Sequence, residues 1–118
     1  MIAGQISTPG VAADGPVGAA LSVEAGRAQA EIATLKLLAV LDDAVEGDAS
    51  RIIQVLRLGV FIAATADFDK HSAVADGASD LLEAVLGERG RHARAAVGVV
   101  SLPALAAVEV DAMVWVRA

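Results

Sequence analysis

The clearest periodicity in the chain lies near its C-terminal end. Val108, Val110, Ala112, Val114 and Val116 alternate there with Glu109, Asp111, Met113 and Trp115. A period of two sends the sets to opposite sides of a strand. One face is then wholly apolar, and the other mixes carboxylates with large apolar groups. Residues 51–64 read differently. Ile52, Ile53, Val55, Leu56, Leu58, Val60, Phe61 and Ile62 form a β-branched-rich run with few polar interruptions. That composition predicts a strand over 52–63 buried on both faces.

Two segments carry helical spacing. Ser22 is placed to cap a helix, with Glu24 in the first turn where the macrodipole favours an anion. Ala28, Ile32, Leu35 and Ala39 follow at that spacing, and Leu38 and Leu41 widen the stripe. Asp42-Asp43 and then Gly47-Asp48 break the pattern, so the helix should end near Leu41. Thr65 to Asp69 reads as a turn. Val74, Ala78, Leu81 and Val85 then predict a second helix, with Gly87 as its C′ residue. Before the first helix, Gly4, Gly10, Gly15, Gly18, Pro9 and Pro16 indicate loop, with at most a short strand over Met1–Ile6. Ala95–Val100 reads as a small-residue strand, and Leu102-Pro103 as its end.

The resulting order is strand, helix, strand, helix, strand, strand. It predicts an α+β fold with two helices on one face of a mixed sheet. Helices on one side cannot cover a strand that is apolar on both. Association with another copy of the chain is the simplest cover for the second face.

Composition narrows the function. The 118 residues make one domain, and with 3% aromatic residues and no Tyr the core must be aliphatic. A net charge of −6 weighs against nucleic acid, because phosphate binding draws on clustered Lys and Arg. The only basic cluster is Arg89, Arg91, His92 and Arg94. Cysteine is absent, which removes disulfides and thiolate chemistry. The longest charge-free apolar run, Ala95–Val108, falls short of the roughly 20 residues that span a bilayer. No signal peptide is visible, so a soluble cytoplasmic protein without a membrane partner is expected. Gly87-Glu88-Arg89-Gly90 fits no phosphate-binding pattern, and His71 and His92 lack metal-ligand spacing. Arg94 remains as a planar, permanently charged fork suited to a carboxylate, or else as a strand-edge partner for Asp or Glu. His92 would share its strand face and could line the same cleft. By itself Glu109 reads as a solvated carboxylate on the polar face of its strand, and Asp111, on the same face, as structural.

Gly90-Arg91-His92-Ala93-Arg94-Ala95-Ala96-Val97, then Ser101-Leu102-Pro103 and Val108-Glu109-Val110-Asp111-Ala112, resembles the C-terminal signature of the RidA/YjgF family. There an Ala-Arg pair opens a strand, Leu-Pro closes it, and an alternating strand carries the acid. Arg57-Leu58-Gly59-Val60-Phe61-Ile62 with Asp67-Phe68 resembles the family's strand and turn before its second helix. Gly4-Gln5 resembles the end of its Ser-Gly-Gln motif. Asp76-Gly77-Ala78-Ser79-Asp80-Leu81 and His92-Ala93-Arg94 are similar to a divergent subgroup.

The resemblance implies a chorismate-mutase-like fold and a homotrimer with clefts between subunits. It also implies binding of small 2-imino or 2-keto acids and hydrolysis of reactive imines and enamines to keto acids and ammonia, without a cofactor. In that scheme Arg94 fixes the carboxylate, Glu109 positions the water, and Gly4, Gln5, His92 and Ala95 help line the pocket. Ala3 stands where the motif has Ser, and His92 where Pro commonly precedes Ala-Arg. Met1 is expected to fall inside the second strand of an N-terminal hairpin, with the Tyr-bearing segment of active members missing. Two other functions stay open: a non-catalytic binder of small carboxylates, and the ribonuclease activity implied by the older family label, endoribonuclease L-PSP.

Overall fold

The alternating C-terminal segment is the strand around which the sheet is built. A computed structural model describes all residues, 1–118. Its strands are β1 (Ile2–Ile6), β2 (Ile52–Ala63), β3 (Ala93–Val99) and β4 (Val108–Val116), and its helices are α1 (Val23–Ala44) and α2 (His71–Leu86). The sheet order is β1-β4-β2-β3. β4 pairs antiparallel with both β1 and β2, and β2 pairs parallel with β3 through the α2 crossover. The mixed sheet and the two helices on one face are as the periodicity predicts.

Register shows which side chains meet the helices. Leu58, Val60 and Ile62 of β2 face Ala112, Val110 and Val108 of β4, and all six are buried. Leu37 and Leu41 of α1 and Val74, Ala78 and Leu82 of α2 close the core over them. The other face carries Gly59, Phe61, Glu109, Asp111, Met113 and Trp115. No element of the chain covers it, and Met113 and Trp115 are 44% and 57% exposed. Within one chain, then, β2 is fully buried on its helix face, while on the open face Gly59 and Ala63 are buried and Phe61 is half-buried. Leu56 and Arg57 stay exposed where the β2–β4 register shifts.

Both helices are rotated from the expected stripes. In α1 the buried residues are Gly26, Ala30, Ala33, Thr34, Leu37 and Leu41, whereas Ala28, Leu35 and Ala39 are exposed. In α2, Val74 and Ala78 are buried as expected. Leu82 and Leu86 take the places assigned to Leu81 and Val85. The reason is close approach. A Cβ on Gly77 would collide with the backbone carbonyl of Arg27, and one on Gly26 would lie 3.2 Å from Val74. The helices touch along small residues, and a reading weighted by large apolar side chains misses such a seam.

Ser22 caps α1 as expected, its Oγ accepting from the Ala25 amide at 3.1 Å. The helix runs past Leu41 to Ala44 because Asp42 and Asp43 lie on its exposed side, and Val45 is buried beneath it. Glu46 (φ +56°) ends it in a Schellman turn, the Glu46 amide donating to the Asp43 carbonyl and the Gly47 amide to the Asp42 carbonyl. Gly87 (φ +63°) ends α2, as predicted. β3 begins two residues earlier than Ala95, which places Arg94 inside the strand rather than before it.

Candidate functional site

Arg94 pairs in register with Leu58, so its side chain points to the helix side of the sheet, beneath α2. Two residues of α2, one turn apart, receive it. Arg94 Nη1 donates to Asp76 Oδ1 at 2.9 Å and to Ser79 Oγ at 3.1 Å. A guanidinium has five N–H donors, of which Nη1 carries two. Both Nη1 donors are thereby used. Nε and Nη2, which together form the side-on fork for a carboxylate, make no hydrogen bond within the chain. The side chain is 22% exposed, so this edge is held in place and reachable.

His92 lies on the same face. Its Nε2 is 2.8 Å from Ser79 Oγ and its Nδ1 is 2.5 Å from the Gly90 carbonyl. Gly90 is buried against the Leu82 carbonyl and the Glu83 amide of α2, with no room for a Cβ. Asp76 and Ser79 are the partners that reading the sequence missed. Their spacing of three on a helix puts them on one face, which was the available signal.

Glu109 sits elsewhere. It pairs with Phe61 and Ile6 and lies on the open face of the sheet. Its carboxylate occupies the space left by Gly4, where an added Cβ would stand 2.7 Å from Oε2. Ala95, in register with Gly59, is on this open face too. The Gln5 side chain bonds only to the Ala3 carbonyl, at 3.3 Å. One chain therefore divides the expected residues between the two faces of its sheet. Arg94 and His92 lie under α2, while Glu109, Gly4 and Ala95 lie on the open side. Asp111 is also there, 3.9 Å from Arg57, with one buried oxygen that has no hydrogen-bond partner.

A separate cleft of about 320 Å³ opens at the C-terminal ends of β2 and β3, lined by Thr65, Phe68, His71 and Gly98 among others. His71 packs edge-on to Phe68 there, centroids 5.1 Å apart. No group of three or more His, Asp or Glu side chains is placed to hold a metal ion. No helix is long and apolar enough to cross a membrane.

This architecture is the α+β, chorismate-mutase-like arrangement of two helices over a mixed sheet. The chain belongs to the family described as "YjgF/chorismate mutase-like, putative endoribonuclease", which it matches over residues 2–114. Among solved structures it is similar to the protein Atu1372 of Agrobacterium tumefaciens, described as of unknown function. That likeness has 41% identity and a TM-score of 0.92, and covers 98% of this chain and 75% of that one. It is also similar to a "putative endoribonuclease" from Shewanella oneidensis, with 30% identity, a TM-score of 0.87, and coverage of 97% and 76%. The protein TCP17 of Trypanosoma cruzi is 48% identical over 101 residues, 85% of this chain. The chain spans 62% of the length of that curated relative.

Proposed function

We propose that the protein binds small 2-imino and 2-keto acids between subunits and hydrolyses reactive imines to 2-keto acids and ammonia. The observation that carries this reading is the free Nε/Nη2 edge of Arg94, held in place by Asp76 and Ser79 on its other nitrogen. A carboxylate docking on that edge gains two parallel charge-assisted bonds. Glu109 is on the opposite face of the same sheet, so the acid that serves an Arg94 comes from a neighbouring copy. The exposed apolar side chains of the open face, Val97, Met113 and Trp115, favour such an assembly, and a homotrimer with three clefts meets the need.

In the reaction, Arg94 fixes the carboxylate and Glu109 orients a water. The water adds to the imine carbon, the nitrogen takes up protons and departs as ammonia, and the former water oxygen becomes the keto oxygen. A protonated imine is already electrophilic, so holding the reactants together supplies most of the gain. A deamination assay on freshly generated 2-aminoacrylate tests this. Turnover above the spontaneous rate should fall about 10- to 150-fold in Arg94→Ala, the range for a lost hydrogen bond to a charged group. Background-level turnover in the unaltered protein would overturn the hydrolase reading. Pyruvate binding without turnover would leave the non-catalytic binder.

A further inference from the structure

We infer that Ser79 and His92 are positioning residues for the Arg94 grip, with His92 acting through the Ser79 hydroxyl rather than by touching the ligand. This rests on the reading of Arg94 as the carboxylate site.

The direction of the hydrogen bonds follows from what each atom can do. The Gly90 carbonyl only accepts, so Nδ1 of His92 carries the proton. A neutral ring then presents a lone pair at Nε2, and the Ser79 hydroxyl donates into it across 2.8 Å. With its hydrogen committed to His92, the Ser79 oxygen turns its lone pairs to Arg94 Nη1 at 3.1 Å. The chain runs one way, from Arg94 to Ser79 to His92 to Gly90, and each bond polarises the next. Both ring nitrogens are used, so His92 has none to offer a ligand.

The chain is anchored on α2 at both ends. Ser79 is on the helix itself, and Gly90 is pressed against the helix backbone at Leu82 and Glu83. Without an acceptor at His92, the Ser79 hydroxyl would turn back to its own helix carbonyl four residues earlier, as Ser commonly does. Arg94 would then keep Asp76 alone, and its fork would swing about one contact instead of being fixed by two. A long, rotamer-rich side chain held by two contacts loses less freedom when a ligand arrives.

The test is a double-mutant cycle on the whole protein, with pyruvate as the probe in isothermal titration and thermal melting recorded alongside. Ser79→Ala and His92→Phe should each weaken pyruvate about 2- to 13-fold, as loss of one hydrogen bond does. The double variant should be no weaker than either single one, and His92→Gln, whose amide oxygen can accept from Ser79, should recover most of the affinity. Additive losses, or unchanged affinity with lowered melting temperatures, would overturn the inference, because a merely structural role moves only stability.

A second measurement needs no ligand. Long-range proton–nitrogen correlation at about pH 8, where an ordinary His is neutral, should show His92 as the Nδ1–H tautomer. The Nε2–H tautomer would overturn the chain of bonds. Absence of any pyruvate binding with the Nδ1–H tautomer present would sink the carboxylate site, and the positioning role with it, while leaving the bonds themselves intact.

Discussion

Replacing Gly77 by Ala separates helix propensity from helix packing. In the interior of an exposed helix the change would stabilise by about 1 kcal/mol, since Ala restricts the unfolded chain and suits the helix. Here the new methyl would fall on the carbonyl oxygen of Arg27 in α1 and 3.2 Å from its carbon. That oxygen is backbone, so no side-chain rotation relieves the overlap. An ordinary carbon–oxygen contact is about 3.3 Å or more, and α2 must part from α1 by something on the order of 1 Å. A gap of that size forfeits a quarter to a half of each dispersion contact along the seam. Overpacking of this kind costs about 1–3 kcal/mol, which exceeds the propensity gain over most of its range. At the middle of that range the net expectation is a loss of about 1 kcal/mol, seen in urea unfolding as a lower midpoint at unchanged slope. Because Asp76 and Ser79 flank Gly77, pyruvate affinity should fall as well. An unchanged or higher midpoint for Gly77→Ala would refute the close-packed seam between the helices.

The remaining predictions concern other sites. Gly4→Ala places a methyl 2.7 Å from Glu109 Oε2 and 2.9 Å from its Cδ, but these belong to a flexible side chain that can move aside. Stability should stay within about 0.5 kcal/mol while deamination falls, and an unchanged rate would show that Glu109 needs no fixed position. Asp48 is held below the ordinary carboxylate value, first by the Ser50 hydroxyl at 2.6 Å and then by the Ser50 amide at 3.1 Å. A lowered folded-state value means its contribution is full above the ordinary value of 3.8 and fades as pH falls below it. Asp48→Asn should therefore lower stability at neutral pH, with the loss shrinking as pH falls below 3.8; a loss that stayed constant through the acid limb would contradict the assignment.

Much of the fold was legible because its periods are simple. The alternation over Val108–Val116 and the β-branched run over residues 52–63 each became one strand, and Ser22 and Gly87 punctuated the helices as expected. What escaped was the rotation of α1 and α2. Gly26, Ala30, Ala33 and Gly77 carry little hydrophobic weight, yet they decide which face can approach a neighbour, and they leave Leu35 and Val85 exposed. Arg94 was visible as a fork, but its direction was not. Shifting the start of β3 from Ala95 to Ala93 puts Arg94 inside the strand, and the Arg94–Leu58 register sends it under α2. Glu109 alternates onto the other face by the same rule. The division of the site between two faces is thus a consequence of register, which a single sequence does not specify.

That division is the central claim, and subunit complementation tests it most directly. Arg94→Ala and Glu109→Ala proteins, each strongly impaired alone, are co-expressed with different tags and the mixed trimers isolated, their composition verified by native mass. If each cleft takes Arg94 from one copy and Glu109 from its neighbour, every mixed trimer, whichever variant is in the majority, has about one cleft in three with both groups intact. Deamination of 2-aminoacrylate should return to about a third of the unaltered rate. Mixed trimers no more active than either parent, or a protein that remains monomeric, would contradict the account.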